Sequence, residues 1–197
     1  MPAVRSWMLQ TFAEINALPE YQICALNFSG YGATVVFVDE KGHAVSPLYN
    51  YLKAFPEGLF PYQNYGGQDE FARATASPIL GNLNSGMQLY RIKNELPIKF
   101  EALKTALHLP QYLSFLFTQQ LFSDITSIGC HTHLWNFNTK QYHAWVNQEG
   151  IFDKLAPIKK SDEVIAVNFP LLPQPLKVGI GLHDSSAALV PYIHSFQ

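Results

Sequence analysis

The sequence predicts an α/β domain, a mixed sheet with a helical insertion, and three features carry that prediction. Apolar runs bounded by turn residues, 23–28 and 177–182, stand near either end of the chain, as strands buried on both faces do. Residues 34–38 and 44–48 flank Asp39-Glu40-Lys41-Gly42-His43, where Gly42 offers the positive φ that a hairpin loop needs. Between the outer strands lie three helical patterns, each bounded by proline.

At 197 residues, against a loose prior of about 150 residues per domain, the chain has room for one large domain or two small ones. Charged residues are 14%, hydrophobic residues 48% and aromatics 14%. That composition excludes intrinsic disorder, because soluble domains typically carry roughly 25% charge. So little charge implies either a large buried fraction or a surface that other protein covers. A formal net charge of −2, with no dense basic patch, removes the electrostatic basis for binding nucleic acid or an anionic membrane. Cys24 and Cys130 are too few and too far apart for a disulfide framework and read as free thiols. Neither a signal-peptide pattern nor a run of about 18 apolar residues occurs, so a soluble cytoplasmic protein is expected.

Along the chain, Met8, Phe12 and Ile15 recur at spacings of four and three, predicting a helix over 6–18 that Pro19 ends. After the strand at 23–28 and the hairpin, residues 54–82 hold three prolines and no sustained periodicity. They read as a long loop whose Phe55, Phe60, Tyr62, Tyr65 and Phe71 pack inward. Helices are predicted over 85–96, 99–107 and 110–120, with Pro97 and Pro110 at helix entries. A short strand at 133–137, a helix over 141–148 closed by Gly150 and a strand at 163–168 follow. The last strand, in 177–184, delivers Asp184 to the start of a small-residue helix over 185–192.

Two strand ends are candidates for chemistry. Asp184, at a strand's carboxyl end and a helix N-terminus, reads either as a general base or as a helix cap. Gly179 and Gly181 before it mark close approach of a ligand or of other backbone. In Ser29-Gly30-Tyr31-Gly32-Ala33-Thr34, two glycines around an aromatic offer main chain to a polar ligand and a flat wall to a sugar face. A tight strand connection is the alternative. Cys130-His131-Thr132-His133 lacks a second ligand cluster for a closed zinc site. If extended, it would place His131 and His133 on one face; the other histidines read as surface or hydrogen-bonded core groups. No Gly-x-Ser-x-Gly elbow and no phosphate-binding Gly-x-x-x-x-Gly-Lys-Ser/Thr loop is present.

Four segments stand in a telling order: residues 27–39 around Tyr31-Gly32, Asn84-Ser85-Gly86-Met87-Gln88-Leu89, residues 109–118 with Asp124-Ile125-Thr126 behind them, and Gly181-Leu182-His183-Asp184-Ser185-Ser186-Ala187-Ala188. In this order they resemble the FGGY carbohydrate kinases, most closely the rhamnulose and fuculose kinase branch. Ala33-Thr34 stand where that family usually has Val-Asp, and Gln111 replaces an Asp. The resemblance implies a ribonuclease H-like, actin-like ATPase fold and transfer of the ATP γ-phosphoryl group to a hydroxyl of a ketose-like sugar. Asp184 would be the catalytic base, and Tyr31, Gly32, Ala33, His183, Asn84 and Gln88 would bind the sugar. No Asp-x-Gly-Thr/Ser, the family's phosphate- and metal-binding segment, occurs in the chain. Residues 1–197 would thus form part of the N-terminal sugar-binding domain, without the phosphate-binding hairpin or the C-terminal nucleotide domain. ATP and Mg²⁺ would serve the complete enzyme without binding tightly to this chain, which alone would be inactive. Its partners would be the sugar and either the nucleotide domain or a second copy, with apolar residues exposed around Val190, Tyr192, Ile193 and Phe196. A non-catalytic carbohydrate-binding or interaction module is the alternative.

Overall fold

The computed structural model describes residues 1–169 and 172–195. Its architecture is α/β, as the sequence predicts, with short strands in several small sheets. Helix α1, Pro2–Asn16, begins earlier than the apolar stripe indicates, because Pro2 suits a first helical position. Strands β1 (Ala25–Leu26) and β2 (Ser29–Gly30) follow, then β3 (Val35–Val38). The predicted hairpin turn forms: Gly42 has φ +76, and the Asp39 carboxylate accepts from the amides of Lys41 and His43 at 2.9 and 2.8 Å. Its returning arm does not become a strand. It makes a single bridge, Val38 to Ala44, and Pro47 has no N–H with which to extend a ladder.

The partner of β3 is β4, Thr105–His108, which pairs antiparallel with it, Val35 opposite His108 and Val38 opposite Thr105. This corrects the predicted helix over 99–107. Phe100, Leu103 and Leu107 fall at helical spacing, yet the helix α4 covers only Pro97–Ala102 and the chain turns extended at Leu103. A run buried at every position carries no periodicity that separates strand from helix. Residues 54–82 are likewise more ordered than expected, holding α2 (Gly67–Thr75) between 3-10 turns at Tyr62–Tyr65 and Gly81–Leu83. Only Phe71, Ala74 and Thr75 of α2 are buried, too few to announce a helix. The aromatics do pack inward: Phe55, Phe60, Tyr62 and Phe71 form a chain of rings with centroids 4.5 to 5.1 Å apart.

Helices α3 (Ser85–Glu95) and α5 (Leu109–Thr118) stand where predicted, and Pro97 and Pro110 lie in the first turns of α4 and α5. Beyond them, β5 (Ser123–Asp124) leads into α6 (Ile125–Ile128). A small ribbon of β6 (Trp135–Asn136) and β7 (Gln141–Tyr142) precedes α7 (Ala144–Gln148), so the predicted 141–148 helix loses its first residues to a strand. Strand β8 (Ile158–Lys159) pairs parallel with β5; then come β9 (Val164–Val167), β10 (Leu176–Gly179), β11 (Leu182–His183) and α8 (Asp184–Ser195).

The central three-stranded sheet has the order β1-β10-β9, with β1 parallel and β9 antiparallel to β10. Beyond it the same two chain segments stay parallel as β2 and β11, Leu182 opposite Ser29 and His183 opposite Gly30. Between the two pairings the Asn27 side chain replaces the ladder, its Oδ1 accepting from the amides of Phe28 and Gly181 at 2.9 and 3.1 Å. Helix α5 closes the break from the other side. Ser114 donates to the Gly179 carbonyl and Gln111 to that of Gly181, both at 2.7 Å.

Two apolar cores flank the β3–β4 pair. One gathers Val35, Phe37, Tyr62, Phe71, Met87, Leu134 and Trp145; the other gathers Phe12, Phe28, Val36, Val38, Leu107, Phe117 and Val178. Phe71 is fully buried among aromatic rings, so Phe71→Ala is expected to cost about 3–5 kcal/mol in urea unfolding. Ile98, 86% exposed, serves as the control: Ile98→Ala is expected to stay within about 0.5 kcal/mol of the parent.

Candidate functional site

Because β2 and β11 run parallel in register, they deliver Tyr31-Gly32 and Asp184 to one end of the sheet, where open α/β folds bind ligands. The two candidate strand ends are therefore one place. The His183 ring lies over Gly32 so closely that a Cβ there would sit 2.5 Å from its Cδ2 and 2.9 Å from its Nε2. Only glycine fits beneath the ring. His183 Nε2 is 3.4 Å from Asp184 Oδ1, and while the histidine is buried the carboxylate is half exposed. Asp184 Oδ1 also accepts from the Ser185 amide at 2.6 Å, so the residue binds its own helix end and still faces outward. Gly179 and Gly181 make room for protein. A side chain at Gly179 would strike Asn27, and one at Gly181, where φ is +94, would strike the Pro110 carbonyl.

A buried network fixes this corner. The His183 amide donates to Thr126 Oγ1 at 3.0 Å, and the Thr126 hydroxyl in turn donates to Asp124. Asp124 is wholly buried; it accepts from the Thr126 amide at 2.8 Å and, on its other oxygen, from Ser161 at 2.6 Å. With its hydroxyl proton committed to Asp124, Thr126 has a lone pair free for the strand that carries His183.

The other predicted site residues fall into two groups. Gln88 donates through Nε2 to the carbonyls of Ala33 and Asn82, at 2.8 and 2.6 Å, and so holds the turn after Gly32 against α3. Its Oε1, like Asn82 Oδ1 and His183 Nδ1, is buried without a partner. Tyr31 is 48% exposed, its ring centroid 6.2 Å from that of Tyr51, and presents an open face. Asn84 sits apart, fully buried. Its amide donates to Ser77 Oγ and to the carbonyls of Pro78 and His131, and its oxygen accepts from the Leu80 amide. It ties the 77–84 and 131 segments together rather than facing the strand ends.

Ser85 and His108, which the sequence did not single out, form a buried pair behind the site with Oγ and Nε2 2.9 Å apart. Burial, then the nearby His183, pushes the His108 pKa down to about 4. A histidine at the entry of a proline-started helix, beside the Asn84-to-Gln88 segment, was the only available signal. In the Cys130-to-His133 segment, His131 and His133 both have positive φ, so the segment is not extended and the two rings share no face. His133 is a core group, bonded to Tyr62 Oη at 3.2 Å and to the Pro78 carbonyl at 3.1 Å, with burial lowering its pKa to about 4. Among the described residues no three His, Cys, Asp or Glu side chains are grouped to hold a metal, and no helix is long and apolar enough to cross a membrane. Cys24 and Cys130 are free thiols.

The fold defined by these elements is that of the actin-like, ribonuclease H-like domain of sugar kinases. A carbohydrate kinase from Novosphingobium aromaticivorans superposes with a TM-score of 0.80 and 26% identity over 96% of this chain and 41% of its own. A xylulose kinase from Lactobacillus acidophilus gives 0.76 and 16% over 96% and 39%, and a Plasmodium falciparum glycerol kinase 0.73 and 16% over 95% and 39%. The chain thus spans about two fifths of the length of the kinases it matches. No protein-family model matches the chain, and no curated protein matches it by sequence.

The buried histidines set a pH dependence. His108 and His133 are neutral in the fold near pH 6.5, the ordinary histidine pKa, but protonate in the unfolded chain below it. Stability is expected in full above about pH 6.5 and to fall progressively towards pH 4. Urea unfolding across that range checks this, and His108→Gln should flatten the slope.

Proposed function

We propose that the chain is the sugar-binding part of an ATP-dependent carbohydrate kinase of FGGY type, akin to the rhamnulose and fuculose kinases. The observation that supports this reading best is the meeting of Tyr31-Gly32 and His183-Asp184 at one end of parallel β2 and β11, in a fold shared with carbohydrate kinases. In the proposed mechanism the sugar stacks on Tyr31 and approaches the backbone at Gly32 and Ala33. His183 and Gln88 hold the Gly32–Ala33 turn from behind, each with one buried polar atom that has no protein partner, and Asn84 acts at a distance by tying the 77–84 segment to residue 131. Asp184 accepts the proton of the sugar hydroxyl as that oxygen attacks; its half-exposed carboxylate is free to reach a substrate.

The described residues at the strand ends do not make a Mg²⁺ site. Of the two carboxylates nearest the strand ends, Asp124 is spent on Thr126 and Ser161, which leaves Asp184 alone to face outward. On this reading phosphate and metal binding would fall to other parts of the kinase, and this chain alone would not carry out transfer. Leu189, Tyr192 and Ile193 of α8 are well exposed, and Val190 partly so, a surface suited to a nucleotide domain or a second copy; Phe196 lies outside the described residues. The missing Asp-x-Gly-Thr/Ser favours, as a second reading, a module that kept sugar binding and lost transfer.

Ligand-observed NMR with xylulose, rhamnulose, gluconate and glycerol tests sugar binding by the chain itself. At least one is expected to bind, Tyr31→Ala to weaken it, and Asp184→Asn to leave affinity within a few-fold. In a complete kinase carrying this segment, Asp184→Asn is expected to lower kcat at least about 10²-fold. Near-normal kcat, with only the ~1 kcal/mol loss of a helix cap, would make Asp184 structural.

A further inference from the structure

At the opposite end of β3 and α3 from the strand tips lies a cavity of about 370 Å³ that the sugar-site reading does not use. Its size is within the roughly 300–1,000 Å³ of small-molecule sites. Phe37, Ile92 and Leu103 of the first core form its apolar wall, and Val45 and Leu48 from the arm after the hairpin turn flank it.

The charged lining has one sign. Lys53, Arg91 and Lys99 line the cavity and no Asp or Glu does, although the chain has more acids than bases, 15 against 13. Arg91 is held on two sides. Its Nε donates to Glu95 at 2.6 Å, and its guanidinium carbon lies 5.5 Å from the centre of the Tyr49 ring. Among the described residues its terminal nitrogens meet no acceptor, and Lys53 and Lys99 form no ion pair. Of the uncharged polar side chains, Ser46 gives its proton to the Pro47 carbonyl, while Asn50 and Tyr49 are donors. Asn50 spends its oxygen on the Leu52 amide, which leaves its NH₂, and burial keeps the Tyr49 phenol protonated. Donors and cations around an apolar wall select a ligand with an anionic head and an apolar body.

We propose that this cavity binds a small organic anion, a carboxylate or phosphate ester on an aromatic or branched aliphatic body, with its charge at Arg91, Lys53 and Lys99 and its body against Phe37, Ile92 and Leu103. None of the lining residues is among those proposed to bind the sugar, so the two sites can be tested separately.

Calorimetric titration of the 197-residue protein with phenyl phosphate, 4-phenylbutyrate, inorganic phosphate and benzyl alcohol tests it. At least one aromatic anion is expected to bind about tenfold or more tightly than both inorganic phosphate and benzyl alcohol, and the tighter of the two tells a phosphate ester from a carboxylate. The double variant Lys53→Gln/Lys99→Gln should weaken that binding about tenfold without lowering the melting temperature, since both side chains are exposed and unpaired. Leu48→Trp, at the rim, should block the cavity while sugar binding persists. Benzyl alcohol binding as tightly as the anions, no binding of either anion, or unchanged affinity in the double variant would overturn the proposal.

Discussion

Because Val35–Val38 and Thr105–His108 pair with every side chain buried, their two faces must both be covered by protein. Val35 and Phe37 go into one core, Val36 and Val38 into the other, and a slip of one residue would exchange them. The rest of the structure is fixed relative to this pair. Leu109 continues the ladder through its amide to Thr34, which sets the start of α5, and α5 donates to the break between β10 and β11. Gln88 of α3 holds the turn that β3 leaves behind. The position of Gly32 beneath His183 follows from packing that begins well away from the strand tips.

The polar chain from Asp124 through Thr126 to His183 meets a second demand. A buried carboxylate without partners is costly, and this one accepts three hydrogen bonds from the protein. Its charge is thereby used to orient a strand end. The same accounting distinguishes the candidate residues: Asn84 has its needs met within the fold, while Gln88 Oε1 and His183 Nδ1 do not. A buried polar atom without a partner costs stability, so Gln88 Oε1 and His183 Nδ1 mark the part of the fold where packing alone does not settle every polar group.

Elements with a clean signal were legible in the sequence. Proline-started α5, the Gly42 turn and the strand that ends at Asp184 are marked by local chemistry that tertiary packing does not override. The second strand of the central pair was not, because Thr105–His108 is buried on both faces and its apolar spacing continues that of α4. Helix α2 was hidden for the opposite reason, too few inward residues. At the site, Asp184, Tyr31 and Gly32 could be read from glycine and helix-start patterns. That β2 and β11 lie side by side, and that Ser85 and His108 stand behind them, is long-range information that a single sequence does not carry.

The central claim is that the ends of β2 and β11 make one sugar-binding corner with Asp184 as its proton acceptor. The most direct measurement is a crystal structure of the protein with a bound ketose. The account predicts the sugar ring against Tyr31 and over Gly32, with one hydroxyl within about 2.6–3.2 Å of the Asp184 carboxylate. A sugar bound elsewhere, or one at this corner with Asp184 turned away to its own helix end, would contradict it.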